Sequence, residues 1–481
     1  MDMNLAMTKR FCLMLPLALT AACAVGPDYQ APASSAPDHY TQSTSSSSFV
    51  EREVETEWWK AFDDAQLTAL IEQALAHNYE LQAAKANLRE ARALYLESGL
   101  NLAPAITARG NYTEQKRSVG SLNNRTFVPR ELKLFSTGFD AFWEADLFGR
   151  LRRSVEASDD EVEAEEASLR DVGISLIAEV ARNYFELRGL QRQLAVAQEH
   201  VRNQAQTLAI TQAKVDNGRG TQFDVARAQA QLDTTRATLP PVAAAIDRAI
   251  HRLGVLCGQM PAALSEPLSK SASIPRAPEV IAIGNPSELL RRRPDIRMAE
   301  RTLAAATARI GVATAELFPR VTFVGNISLE AMTLSGLGEA GADAYSFGPR
   351  ISWPALDLGR VYARIKAADA RAESTLANYE QIVLNALEET ENALVSYSQE
   401  GKRRHLLAAA CKADEQARQL AHVRYREGVS DFLVVLDAEA RLLQNQVLLA
   451  QSETATATAL AAVYKALGGG WQRIEAKDSS G

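Results

Sequence analysis

Two stretches of about 65 residues, 150–215 and 360–426, contain no proline. In the first, Leu169, Val172, Leu176, Val180, Tyr184, Leu187, Leu190, Leu194, Ala197, Val201, Ala205 and Leu208 recur every three or four residues. Their mean step of about 3.5 is the spacing of a coiled-coil seam. The intervening positions are mostly Glu, Gln, Arg and small residues, so the pattern predicts helices that pack laterally along their length and face water elsewhere. At 1.5 Å per residue each helix is on the order of 100 Å long, far beyond the usual helix of a globular core. An ordinary long antiparallel coiled coil would show the same periodicity. Aromatic residues make up only 6% of the chain, which also favours helix over an all-β fold.

The chain repeats itself. The segment Phe142-Trp143-Glu144-Ala145-Asp146-Leu147-Phe148-Gly149-Arg150 returns as Ser352-Trp353-Pro354-Ala355-Leu356-Asp357-Leu358-Gly359-Arg360, and the turn at Asn217-Gly218 returns at Glu427-Gly428. Both recur at an offset of about 210 residues, as an internal duplication would give. Each copy reads as a helix (Asp64 to Leu100; Pro286 to Leu317), two strands, the long helix, a glycine turn and a last helix (Thr221 to Leu256; Asp431 to Leu467). The strands are expected near Pro104–Glu114, Leu132–Trp143, Arg320–Leu329 and Tyr345–Trp353.

The strands alternate. Val321, Phe323, Gly325, Ile327 and Leu329 interleave with Thr322, Val324, Asn326 and Ser328, and Tyr345, Phe347, Ile351 and Trp353 with Ser346, Gly348, Arg350 and Ser352. Such alternation over about ten residues fits transmembrane β-strands; a pair of water-soluble hairpins fits it equally. Four strands cannot close a barrel, since the smallest outer-membrane barrels have about eight. Open edges in lipid leave costly unpaired backbone groups, so strands that span a bilayer must be pooled, and three chains would supply twelve. Outside the N-terminus no apolar run reaches the roughly 20 residues of a transmembrane helix.

The N-terminus reads as an export address. Lys9 and Arg10 precede an apolar run from Phe11 to Ala22, which ends in Leu19-Thr20-Ala21-Ala22-Cys23. Its length suits a signal peptide (1–22), and the small residues before Cys23 suit a lipobox with lipid attachment at Cys23. Thr20 stands where a large aliphatic residue is usual, and an ordinary cleaved signal that contains a cysteine is the alternative. Ser, Pro and Ala dominate 30–49, and residues 23–57 read as a tether. Cys257 and Cys411 suit single buried thiols better than a pair. The net charge of −7 lacks the basic footprint of nucleic-acid binding. The six histidines are scattered without metal-ligand spacing, and no Walker A loop, G-x-S-x-G or G-x-G-x-x-G is present, so no enzyme is expected and no cofactor beyond the covalent lipid.

The run Asn285-Pro286-Ser287-Glu288-Leu289-Leu290-Arg291-Arg292-Arg293-Pro294-Asp295-Ile296-Arg297-Met298-Ala299-Glu300, then Ile310-Gly311-Val312-Ala313 and Leu317-Phe318-Pro319, resembles the outer-membrane factors of tripartite efflux pumps, of the TolC and OprM type. Gly26-Pro27-Asp28-Tyr29, Trp58-Trp59 with Phe62-Asp63, and Tyr425-Arg426-Glu427-Gly428-Val429-Ser430-Asp431-Phe432 also match, and point to the NodT-like lipoprotein branch. The resemblance spans Cys23 to Leu467. It implies a mainly α protein with β: a trimeric outer-membrane β-barrel, four strands per chain, continuous with a long periplasmic α-helical barrel. The two repeats would be 58–284 and 285–470, with a tail at 471–481. The implied function is a passive exit channel for drugs or other small toxic compounds. The implied partners are a periplasmic adaptor, a proton-driven inner-membrane transporter of the RND type and outer-membrane lipids. A duct for type I protein secretion shares almost every feature, and a purely structural periplasmic lipoprotein is the third reading. The tips at Gly218, Thr221, Gly428, Val429 and Ser430 would dock the adaptor. Asp224, Leu433, Asp437 and Arg441 would form the periplasmic gate, with Asp224 and Asp437 in corresponding parts of the repeats. Relatives often carry arginine three residues after the aspartate; here that place is Ala440. The shift turns Arg441 by about 100° and leaves Arg227 as another latch. The Arg291–Asp295 run itself reads as structural, with Pro294 and Asp295 suited to a helix start.

Overall fold

A computed structural model describes residues 24–33, 36–41, 49–120, 129–278 and 280–470. Cys23, the signal peptide and the tail 471–481 lie outside the described residues. The protein is mainly α with β. Its elements run β1 (Phe49–Val50), α1 (Ala65–His77), α2 (Tyr79–Leu100), β2 (Ala105–Lys116), β3 (Glu131–Ala145), α3 (Arg150–Asp216), α4 (Gln222–Ala237), α5 (Leu239–Leu256), α6 (Ser265–Ser269), β4 (Ile281–Ala282), α7 (Pro286–Arg292), α8 (Pro294–Ala315), β5 (Arg320–Ala331), β6 (Asp343–Ser352), α9 (Leu358–Arg426) and α10 (Phe432–Ala466). Both long helices form unbroken.

Three helices expected to be continuous are divided, each for a local reason. Asn78 parts α1 from α2: its Oδ1 accepts from Leu81 N at 3.0 Å as an N-cap, while its Nδ2 donates to Leu256 O at 3.0 Å. Thr238 parts α4 from α5, because Pro240 and Pro241 have no N–H to offer the turn before them. Arg293 parts α7 from α8, because a residue before proline is pushed out of helical backbone; its ψ is 122°.

Two compact units share these elements. One comprises 1–33, 87–165 and 298–380, the other 34–86, 166–297 and 381–481, so each draws on both halves of the sequence. The first unit holds an antiparallel sheet of order β2-β3-β5-β6. The two hairpins share one register: Ala105 faces Phe142 in β2–β3, and Arg320 faces Ser352 in β5–β6. Arg320 is Ala105 plus 215 and Ser352 is Phe142 plus 210, the offsets of Pro104/Pro319 and Trp143/Trp353. Each of those tryptophans donates from Nε1 to the helix end before its hairpin, Trp143 to Leu102 O (2.9 Å) and Trp353 to Leu317 O (3.0 Å).

The sheet sorts its side chains by face. Register puts Ile106, Phe139, Ile327, Tyr345, Phe347 and Ile351 on one side, all well exposed. The other side carries Thr107, Arg109, Asp140, Asn326, Ser346 and Arg350, with Arg109 paired to Asp140. A strand alternates sides by its pleat, so this separation follows from the alternation in sequence. Among the described residues no helix is long and apolar enough to cross a membrane.

The second unit has an aromatic core. Trp58 and Trp59 are fully buried; Trp58 stacks on Tyr464 at 5.0 Å and Phe62 packs on Phe185 at 4.8 Å. The arginine run is structural here, as read. Buried Arg293 donates to both oxygens of Asp295, to Glu389 Oε2 (2.7 Å) and to Ala466 O (2.8 Å), so one guanidinium ties the start of α8 to α9 and to the end of α10. Although burial works against its charge, these carboxylates raise its pKa further. Cys257 is buried, which pushes its thiol up to about 11, and both it and Cys411 are free. Arg293→Ala takes the guanidinium away from Asp295, Glu389 and Ala466 O. Since both carboxylates are partly exposed, we expect a loss of about 2–3 kcal/mol, seen as a lower urea midpoint. Arg293→Lys, which keeps the charge and loses the two-pronged contact, should fall between.

Candidate functional site

The two helix-turn tips, both in the second unit, are built alike. At the first, Gly218 takes φ +69°, with Gly218 N donating to Val215 O (2.9 Å) and Arg219 N to Lys214 O (2.8 Å). At the second, Gly428 takes φ +71°, with Gly428 N donating to Tyr425 O (3.2 Å) and Val429 N to Arg424 O (2.9 Å). This is the left-handed helix stop that glycine supplies without steric cost, and it closes the ends of α3 and α9 identically.

The tips then diverge. Thr221 and Asp224 form a capping box: Asp224 N donates to Thr221 Oγ1 (3.2 Å), and Asp224 Oδ2 accepts from Thr221 N (3.3 Å) and Thr221 Oγ1 (2.7 Å). Asp224 is therefore engaged in starting α4. At the second tip Asp431 makes no side-chain cap, and the Ser430 hydroxyl is buried without a partner. Val429 is 68% exposed.

Asp437 stands a turn further from its glycine than Asp224 does. At the 210 offset its counterpart is Arg227, and that of Leu433 is Phe223. This corrects the expected equivalence of Asp224 and Asp437. Phe223 and Leu433 are both exposed, the first lying 5.2 Å below the Arg227 guanidinium. Phe223 was missed from sequence, although the repeat offset points straight to it. The one-place shift does not part Arg441 from Asp437 within the chain: Arg441 Nε reaches Asp437 Oδ2 at 3.1 Å. Four residues apart, they share a helix face, and with both exposed the pair is worth little by itself.

Contacts between the tip helices lie inward of these residues. Lys214 Nζ donates to Tyr425 O (3.0 Å) and sits over the Tyr425 ring, whose hydroxyl pKa is raised by burial. Phe432 and Val435 pack with Ala228 and Ala421. His200 Nε2 meets Gln446 Oε1 at 2.7 Å.

The sequence profile of the outer membrane efflux protein family matches residues 70–259 and 285–469. The chain belongs to this family. It is 30% identical to nodulation protein T of Rhizobium leguminosarum bv. trifolii over 461 residues, 95% of this chain and 96% of that protein. It is 31% identical to outer membrane protein OprJ of Pseudomonas aeruginosa, covering 95% of each. Among solved structures it matches the outer-membrane channel OprN with a TM-score of 0.88 at 42% identity, over 94% of this chain and 100% of that one. The family member described here is an efflux-pump component of the outer membrane that extends into the periplasm, and the type I secretion reading is not favoured.

Replacing Gly218 or Gly428 by alanine forces a β-carbon into left-handed backbone, at about 1–2 kcal/mol. Thr221→Ala removes the cap, at about 1 kcal/mol. Faster amide hydrogen exchange confined to the altered tip should report each loss, and unchanged exchange would contradict these roles.

Proposed function

We propose that three copies of this chain assemble into a passive exit channel that carries drugs or other small toxic compounds from a periplasmic pump assembly to the exterior, without catalysis. One observation carries this reading: a four-stranded sheet with an apolar face, a polar face and outer edges, on β2 and β6, that have no strand partner among the described residues. In a bilayer such edges must be paired. Adjacent strands run antiparallel throughout, so β6 of one copy beside β2 of the next continues the alternation and gives twelve strands from three chains. The apolar side then meets lipid and the polar side lines the lumen.

The repeat supports a register for that joint. Within the chain β3 pairs with β5, Phe142 opposite Val324. Adding 210 to the first and subtracting 215 from the second gives Ser352 opposite Arg109 of a second copy.

Cys23 is the proposed lipid attachment. The chain just after it is fastened in the first unit: Val25 N donates to Phe148 O (3.2 Å), Arg153 Nη2 donates to Asp28 Oδ1 (2.6 Å), and Gly26 lies against the Gly311 backbone. A tether so fixed beside the end of β3 suits an anchor held near the membrane. At the tips, Gly218, Thr221, Gly428, Val429 and Ser430 are the proposed docking points of a periplasmic adaptor, itself coupled to a proton-driven RND transporter. Phe223, Leu433, Asp437, Arg441 and Arg227 would narrow the entrance, with Asp224 holding the fold of the first tip. In a trimer Arg227 and Asp437 form opposite charges at equivalent positions, which offsets the repulsion of a carboxylate ring.

The cysteine pair Thr113→Cys and Gly348→Cys tests the joint, because the register places these polar-face residues opposite each other across copies. Oxidation should give a reducible covalent trimer on denaturing gels. Thr107→Cys with Gly348→Cys, displaced along the strand, should not crosslink. Equal crosslinking by both pairs, or by neither, contradicts the proposed closure.

A further inference from the structure

Between α6 and β4 the chain runs over the helices of the second unit as an irregular strap, Ser271 to Ala277. Its start is fastened. Buried Arg188 of α3 donates from Nη1 to Lys270 O (2.9 Å), Gln191 Nε2 to Leu268 O (2.7 Å), and Gln66 Nε2 of α1 to Pro267 O (3.2 Å). Its far end leads into β4, where Ile281 pairs with Phe49 of β1. Held at both ends, the strap roofs a cavity of about 840 Å³ whose floor comes from α3, α9 and α10.

The walls of this cavity are basic. Arg192 of α3, Arg276 of the strap and Arg404 of α9 line it with His405, and Glu453 of α10 is the one carboxylate among its described lining residues. Guanidinium groups do not deprotonate in proteins, so the cavity stays positive. None of the three arginines has an ion-pair or hydrogen-bond partner among the described residues. Arg403, next to Arg404 on α9, does have one, Glu400 at 3.3 Å. The floor is small and apolar at Ala195, Ala408 and Ala457. Among the described residues no backbone N–H from Ser271 to Ala277 has a partner, Pro275 having none to offer, so the roof presents free donors.

We propose that the cavity under the strap binds a short acidic peptide, extended and with small side chains between its carboxylates. Each part of the cavity meets one part of such a ligand. The planar guanidinium forks match carboxylates with two parallel hydrogen bonds. The free N–H groups of the strap donate to the carbonyls of an extended backbone laid beside it, as in strand addition. The alanine floor admits methyl-sized side chains and excludes large ones. The volume lies within the range that holds a drug-sized ligand, so a few residues fill it. Glu453 repels any further carboxylate and fixes which way the peptide lies. Free periplasmic peptides and peptides carried on the cell wall share this chemistry. The cavity shares no residue with the tips or the sheet, so the site stands apart from the exit-channel reading.

Fluorescence anisotropy tests this, with a labelled peptide that alternates alanine and glutamate and the full-length protein in detergent. The acidic peptide should bind, and one that alternates alanine and glutamine should bind about tenfold more weakly. Arg192→Gln combined with Arg404→Gln should weaken the acidic peptide about tenfold. Glu453→Gln should tighten it about threefold by removing a like charge, a gain that misfolding cannot produce. Arg403→Gln should bind as wild type does. The peptide should slow hydrogen exchange at 271–277 in wild type and not in the double variant. Equal binding of the two peptides, or unchanged binding in the double variant, overturns the site. Displacement by inorganic phosphate at the peptide's own concentration marks a general anion hole and overturns the peptide assignment. Sedimentation with purified cell-wall sacculi separates the sources. Co-sedimentation that the double variant loses assigns the site to wall peptides, and peptide binding without co-sedimentation assigns it to free ones.

Discussion

Backbone groups at a sheet edge need hydrogen-bond partners, and hydrocarbon offers none. Here β2 and β6 leave such edges on a sheet whose Ile106, Phe139, Ile327, Tyr345 and Phe347 side is bare. In water that apolar side would be a liability; in lipid it is satisfied, and the edges become the cost. Only another sheet edge answers both. The shared register of the two hairpins means that the joint needed between copies has a template within the chain, where β3 already lies against β5.

The helical part answers a different constraint. Helices α3 and α9 are too long to be buried by one core, so they close along a seam, and their polar residues cluster where partners can be found. Arg293 gathers α8, α9 and α10 through one guanidinium. Glu439 does the converse, with one carboxylate held from two helices. A coiled coil of leucines alone would be firmer, whereas these buried polar ties join particular helices at defined positions.

Much of this was legible in the chain because it is periodic. The seam in α3 and the alternation in β5 and β6 are repeated signals, and a few irregular residues do not erase them. What escaped was local or distant. Asn78 looks like any helix residue until its side chain caps Leu81, and Pro240-Pro241 was a readable stop passed over within a long pattern. The Thr221-x-x-Asp224 spacing was equally readable as a capping box. Glu439 was not: its partners Thr207 and His422 lie 232 and 17 residues away, and nothing local distinguishes it from the solvated glutamates around it. The turn of Arg441 about the helix axis hides its other neighbour, Asp437, one turn back along that axis.

In the proposed channel the sheet's two faces see lipid and water. Spin labels placed one at a time along β6, from Tyr345 to Ile351, measure it directly in reconstituted membranes through collisions with oxygen and with a water-soluble paramagnetic complex. Labels at Tyr345, Phe347 and Ile351 should favour oxygen and those at Ser346, Gly348 and Arg350 the complex, with a period of two. Uniform exposure to the water-soluble complex along the strand would contradict a lipid-facing sheet and leave the hairpins in solution.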